Sequence, residues 1–229
     1  MKKLKADLHL HTNEDPKDSV KYSAKQLIDQ AHQKGFDVLA ITNHDQVTYD
    51  NYLAEYAKER GILLIPGAEA TINQKHVLLL NMDYSLHRIR TFADLKLRKD
   101  GTGLIIAPHP FFPSFTSLNS ELEQHLDIFD AIEYSYYYLQ EINFNKKAEE
   151  LAKEFSLPLI GTSDAHFLWQ IGTTYSLIEA EKDLEAVIAA IKEGKVEVVT
   201  GPLSLTRASR IGLMLLFRMM RGVNIGVTH

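Results

Sequence analysis

Two histidines spaced two apart, in Asp7-Leu8-His9-Leu10-His11-Thr12, are the first residues of this chain whose type and spacing point to chemistry. In an extended strand the side chains at i and i+2 share a face, so both imidazoles can meet one ion. Asp164 and His166, in Ser163-Asp164-Ala165-His166, repeat that spacing late in the chain. Between them stand Thr42-Asn43-His44-Asp45, Gly67-Ala68-Glu69 and Pro108-His109-Pro110, and each cluster follows a short apolar run. Strands that alternate with helices and end in potential ligands build a metal site at their carboxyl ends. The chain has no cysteine, which excludes disulfides, thiolate zinc sites and Cys nucleophiles and leaves His, Asp and Glu as ligands. Asp7 is placed either to orient an imidazole from behind or to cap the next turn.

The elements that must position these residues cycle between strand and helix. A strand is predicted over 4–8. Ser23-Ala24-Lys25-Gln26 is a capping-box pattern opening a helix that runs to Lys34, where Gly35 stops it. A strand over 37–41, a helix over 49–60 ending at Gly61, and apolar strands over 62–65 and 77–80 follow. Further on, helices are predicted over 89–99, 120–126, 141–155 and 184–193, and strands over 104–107, 131–134, 157–160, 174–178 and 196–199. Seven or more β-α units with short connections favour a barrel-like parallel sheet.

With 229 residues there is chain enough for one α/β barrel domain. A net charge of −5 argues against broad electrostatic capture of nucleic acid. The basic start, Met1-Lys2-Lys3-Leu4-Lys5, leads into too few apolar residues for a secretory signal, so a cytoplasmic location is expected. Residues 211–220 are apolar apart from Gly212 and Arg218, which is too short a run to span a bilayer. With Arg207, Arg210, Arg218 and Arg221 nearby, that run suits an interfacial helix, a partner contact or plain packing against the domain.

The five clusters, taken in order, resemble the motifs of the PHP (polymerase and histidinol phosphatase) family, over about residues 4 to 200. The resemblance implies a PHP phosphoesterase domain over 1–203 followed by a basic and apolar tail over 204–229. It also implies an α/β fold of the distorted (β/α)₇ barrel type, like other metallo-dependent hydrolases, with three divalent ions and phosphoester hydrolysis. Carried over by residue, it places His9, His11, Glu69 and Asp164 around one metal. Glu69 bridges to a second ion held also by His76 and His109. A third takes His44, His166 and an acid from the loop after His11, with Asp15 first and Asp18 in reserve. Glu133, in Ile132-Glu133-Tyr134, matches a family acid beside the metals.

Three departures from the family pattern stand out. Asn13-Glu14-Asp15-Pro16-Lys17-Asp18 replaces the usual Ser-Asp-Gly, Asn43 stands where aspartate is common, and Phe111-Phe112-Pro113 lacks an arginine that some members carry. Phosphate recognition would then rest on the metals and on other basic residues, while the aromatics select an apolar or planar leaving group. Tyr134-Ser135-Tyr136-Tyr137-Tyr138 follows a strand end and suits either packing or a pocket for a planar group. A hydroxide bridging two metals is the expected nucleophile, with Glu69 between the ions and His166, His44 or Asp45 assisting the leaving oxygen. Nitrogen and oxygen ligands suit manganese, zinc or iron. The expected partner is a small phosphorylated substrate or nucleotide, or a short nucleic acid. The alternatives are an amidohydrolase-type metal hydrolase, weakened because no lysine sits at a mid-chain strand end, and a metal-stabilised binding module without turnover. His32, His87, His125 and His229 read as surface residues.

Overall fold

The computed structural model describes residues 3–82, 86–209 and 211–212. The chain runs β1 (Lys3–Leu10), α1 (Ala24–Gln33), β2 (Val38–Ile41), α2 (Asn51–Lys58), β3 (Leu63–Ile72), β4 (Lys75–Leu80), α3 (Phe92–Arg98) and β5 (Leu104–Ala107). It continues through α4 (Ser120–Gln124), β6 (Ala131–Ser135), α5 (Lys146–Glu154), β7 (Leu159–Thr162), β8 (Thr174–Glu179), α6 (Leu184–Lys192) and β9 (Val196–Thr200). All of these strands join one sheet in the order β7-β6-β5-β4-β3-β2-β1-β8-β9. Curled on itself with helices outside, it is a distorted barrel of the (β/α)₇ kind.

The sheet is mixed, which corrects the expectation of a parallel one. β1, β2 and β3 run parallel, as do β5, β6 and β7, but β4 is antiparallel to both neighbours and β8 and β9 are added antiparallel beyond β1. The cause at β4 is a tight hairpin. Asn73 and Gln74 both have positive φ, 47° and 63°, a backbone that matches the twist of a two-residue turn. The strand expected over 62–65 continues through Pro66 and Gly67 to Ile72, with Ile41 opposite Pro66 and Leu80 opposite Gly67. Glu69 therefore lies inside a strand rather than in a loop after one.

The gap between β7 and the β1–β8 pair is bridged mainly by side chains. Gly161 N–H donates to Ser176 Oγ (2.9 Å), Ser176 Oγ donates to Gly161 O (3.0 Å), and Ser163 N–H donates to Asp7 Oδ1 (3.0 Å). Glycine is required there because a Cβ on residue 161 would lie 2.7 Å from the Tyr175 carbonyl oxygen. Asp7 is thus a seam residue between two strands.

Leu4, Ala6, Leu8, Val38, Ile65, Leu78, Ile106 and Ile160 fill the interior, and α6 packs onto the same cluster. Two outer clusters seat α1 and α2 on one flank and α3, α4 and α5 on the other. α1 forms as its sequence dictates: Ser23 and Gln26 exchange capping bonds, Ala24, Leu27, Ile28 and Ala31 face inward, and Gly35 at φ 70° ends it. α5 begins five residues later than its pattern suggested. Asn145, just before it, is instead buried and clamps Ser135 at the end of β6 with both amide atoms.

Of the expected tail over 204–229, the described part packs on the barrel. Leu203, Ala208 and Ile211 bury against Tyr136, and the Arg207 guanidinium lies 5.2 Å from the Trp169 ring centre. Most of the apolar run over 211–220 lies outside the described residues. Among the described residues, no helix is long and apolar enough to cross a membrane.

Candidate metal centre

At one mouth of the barrel the strand ends bring nine residues together. His9 is on β1 and His11 just past it. His44 follows β2, Glu69 is within β3, His76 is on β4, His109 follows β5, Asp164 and His166 follow β7, and Asp15 lies in the loop after β1. Asp18 and Glu133 complete the cluster.

Backbone bonds fix these positions. Glu69 N–H reaches the Thr42 and Asn43 carbonyls, and Asp45 N–H donates back to Glu69 O, so the His44 loop is stitched to β3. The hairpin sets Thr71 opposite His76, which places Glu69 diagonally across from that histidine. Three non-glycine residues at this mouth hold positive φ: Asp45 (51°), His109 (29°) and Asp164 (42°). Such strained backbone persists where the surroundings over-determine it, commonly at functional sites.

The donor atoms are spaced as ligands around a cation would be. His9 Nε2 and His11 Nε2 are 3.2 Å apart; Glu69 Oε2 is 3.4 Å from each, and Asp164 Oδ1 is 3.5 and 3.3 Å from them. An ion with ligands at about 2.1 Å in a tetrahedron has edges of about 3.4 Å. On the other side of the same carboxylate, Glu69 Oε1 lies 2.7 Å from His76 Nδ1 and 3.1 Å from His109 Nε2, while His44 Nε2 is 3.1 Å from Oε2. His166 Nε2 is 2.5 Å from Asp18 Oδ2. His109 Nδ1 is buried with no hydrogen-bond partner in the structure. A set of buried nitrogens and carboxylate oxygens without sulfur fits divalent ions.

Behind these donors, carboxylates fix the rings. His9 Nδ1 donates to Glu133 Oε2 (2.8 Å), and His109 N–H donates to Glu133 Oε1 (3.2 Å). Asp15 Oδ2 accepts from His11 Nδ1, His44 Nδ1 and His44 N–H, each at 2.9 Å. Asp15 Oδ1 accepts from the Lys17 and Asp18 amides. This turns Nε2 of His9, His11 and His44 toward the centre.

Electrostatics follow from packing acids and imidazoles together. Burial alone would raise Glu69, but His76, His44 and His9 hold it well below the usual carboxylate range. Asp164 and Asp15 are likewise lowered against burial, the first by His9 and His11, the second by His11 and His44. Burial opposes a charge on His9, yet Asp164, Glu69 and Glu133 carry its pKa well up; Glu69 does the same for His44 and His109. Burial lowers His11 and His76.

Some expected residues fall elsewhere. Asp45, expected to assist proton transfer, is not brought into the cluster: its carboxylate takes the Thr71 N–H (2.6 Å) and hydroxyl (2.9 Å) and pairs with the Lys17 ammonium. Asn43 ties two loops together through Thr12 and Thr48. His32 Nδ1–H donates to the Arg60 carbonyl, His87 is exposed, and His125 stacks on Phe92, so none of the three joins the cluster; His229 lies outside the described residues. Gln170 was not anticipated from the sequence. Its Oε1 accepts from the amides of His166 and Phe167 and so shapes the last loop, a role with no local sequence signal.

A cavity of about 670 Å³ opens over the cluster, and Asp18, His44, Glu69, His109, Asp164 and His166 are among the residues that line it. Phe112, Pro113, Phe115, Tyr136 and Tyr137 belong to the same lining. Asp15 is not at its surface, whereas Asp18 is.

Comparison with known proteins agrees with this architecture. Residues 7–140 match the PHP domain, and residues 143–196 match the PHP-associated family. An uncharacterized protein of Methanocaldococcus jannaschii is 29% identical over 130 residues, covering 52% of this chain and 75% of the relative. A two-domain protein from Bacteroides vulgatus containing a predicted PHP-like metal-dependent phosphoesterase has the same fold, with a TM-score of 0.70, 21% identity, and coverage of 91% of this chain and 68% of that one. The lesion-specific endonuclease of Pyrococcus furiosus is similar in fold at a TM-score of 0.61 and 16% identity, covering 92% and 66% respectively.

Proposed function

The chain belongs to the PHP domain family, and from that premise and the geometry of the centre we propose that it hydrolyses phosphoesters with divalent metal ions held at the barrel mouth. The observation that carries the proposal is that Glu69 Oε2 and Asp164 Oδ1 each lie 3.3–3.5 Å from Nε2 of His9 and of His11, with Glu69 turning its second oxygen to His76 and His109. Such ions, when bound, supply an activated water near neutral pH and neutralise charge on the phosphate.

The residues would divide the remaining work. His9, His11, Glu69 and Asp164 would hold one ion, Glu69 with His76 and His109 a second, and His44, His166 and an acid a third. We assign that acid as Asp18, because it faces the cavity and meets His166 Nε2, and give Asp15 the task of holding the His11 and His44 rings. His166 stands at the cavity surface with its Nδ1–H donated to the Asp164 carbonyl, which leaves Nε2 for the ion; Asp45, tied to Lys17 and Thr71, positions the His44 loop. We extend the catalytic domain past 203 to include the residues through 212 that pack on the tyrosines.

Phosphomonoesters suit the cavity better than a nucleic-acid strand. Among the described residues no lysine or arginine lines it, whereas strand binding needs a basic track. A DNA substrate, as for the similar endonuclease, is the second reading. Nor does a lysine reach the centre to support the amidohydrolase alternative.

The test is hydrolysis by manganese-loaded protein of a panel of phosphomonoesters and short oligonucleotides, with metal content measured alongside. Turnover of monoesters that is lost on chelation is expected. No turnover of any substrate at a loading of about three ions per chain sinks the proposal and leaves a metal-stabilised binding module.

A further inference from the structure

The cavity that the donor cluster lines also has an aromatic, uncharged wall, held in place from behind. Phe112 meets Tyr137 edge to face, with ring centres 5.3 Å apart at 89°, and Tyr136 meets Tyr137 at 6.1 Å and 80°. Phe112 stands three residues after His109 on a turn closed by its own N–H to the His109 carbonyl. Tyr136 and Tyr137 follow Ser135 at the end of β6, the strand that carries Glu133. The rings are thus positioned by the same two strand ends as the centre.

The chain's last described segment backs this wall. Tyr137 Oη donates to the Ala208 carbonyl (3.3 Å), Leu203 N–H donates to the Tyr138 carbonyl (2.9 Å), and Ile211 is buried against Tyr136. Phe115, 92% exposed, stands at the rim. Lys17 and Lys75 line an adjoining depression and are engaged, Lys17 with Asp45 and Thr71 and Lys75 with the Phe115 carbonyl, while Lys147 lies over the Phe111 ring and pairs with Glu123.

We propose that this wall is a specificity site: Phe112, Tyr136 and Tyr137 select a monophosphate whose alcohol carries one planar ring system, of the nucleoside monophosphate class. The proposal rests on the phosphoesterase reading above. Three features point to it. A phosphate at the donor cluster leaves its alcohol facing the aromatic wall of one shared cavity. Any planar ring gains from stacking on such side chains without needing a base-specific contact. Beyond the ions themselves, a second phosphate would meet no lysine or arginine among the described lining residues, which disfavours oligonucleotides and diphosphates.

Adenosine 5′-phosphate and ribose 5-phosphate share phosphate and sugar and differ by the base, so the ratio of their kcat/KM values isolates the wall. With manganese-loaded full-length protein a ratio of about tenfold or more in favour of adenosine 5′-phosphate is expected. Phe112→Ala and Tyr137→Ala should bring it toward unity, chiefly through KM, while Tyr137→Phe, which keeps the ring, should retain it. Equal kcat/KM in the wild type, or a ratio that survives both alanine variants, overturns the proposal. A separate arm uses no turnover: saturation-transfer NMR with adenosine and with ribose. Adenosine binding that ribose lacks and that Phe112→Ala abolishes supports the wall even if hydrolysis fails for every substrate; absence of adenosine binding overturns it while leaving the phosphoesterase reading to its own test.

Discussion

Which nitrogen of His9, His11 and His44 faces the centre is decided by the carboxylate behind each ring, Glu133 for the first and Asp15 for the other two. Partners of this kind typically change metal affinity or activity 10–100-fold when removed. Glu133→Gln should therefore weaken manganese binding by about that factor, read by calorimetric titration, with the fold intact by circular dichroism; unchanged affinity would remove Glu133 from the centre's support. Asp18→Ala should lose an ion outright in elemental analysis, whereas Asp15→Asn should keep full loading at saturating metal. The reverse result would make Asp15 the ligand. Charge gives a further expectation for metal-stripped protein. His9, His44 and His109 have raised pKa values, so their stabilisation is complete below the ordinary histidine value of about 6.5 and is lost as pH rises through the raised folded values. Glu69, Asp15 and Asp164 are lowered, so their contribution is present above about pH 4 and lost as pH falls through the folded values. Thermal denaturation in chelator should show Tm falling at both ends, and a metal-loaded sample, its histidines already deprotonated, should lack the alkaline fall. A flat profile in chelator would mean these groups are not coupled as their geometry indicates.

Elements bring these residues within reach, and the hairpin of β3 and β4 does most to arrange the second half of the centre. Local pattern predicted both strands, but Pro66-Gly67 obscured how far β3 runs and nothing local announced that β4 turns back on it. The capped helices were legible because caps and stop glycines act over one or two turns: Ser23 and Gln26 open α1 and Gly35 closes it. α5 was misplaced because Asn145 serves β6 instead of the helix, a tertiary contact outweighing helical spacing. The seam at Gly161 is a sensitive point of the barrel. Gly161→Ala would set a methyl against the Tyr175 carbonyl and Val198, neither a freely moving tip. A loss of about 1–3 kcal/mol is expected, seen as a Tm lower by roughly 2–4 °C per kcal/mol, together with weaker metal binding because Asp164 and His166 follow directly. A neutral substitution would show that the seam opens without cost.

At the scale of the whole molecule, buried acids and imidazoles gathered at one mouth are expected to couple folding to metal binding. Chelation should lower Tm and manganese should restore it, since a ligand at a hundredfold excess over Kd stabilises by about 2.7 kcal/mol per site; a Tm indifferent to chelator would argue that the cluster holds itself together without ions. By itself the sequence determined that His, Asp and Glu are the available ligands, that five groups of them follow apolar runs in a fixed order, and that strands alternate with helices. Those are local properties, carried by the two-residue period of a strand and by caps that act across a turn. Only the tertiary structure decided that β4 runs antiparallel, that Asp18 rather than Asp15 borders the cavity, that Asp45 turns away to Lys17, and that Leu203, Ala208 and Ile211 brace the tyrosine wall. The reason is distance along the chain: whether a side chain faces an ion, a neighbouring ring or solvent depends on loops and strands tens of residues away, and no local spacing records where those come to rest.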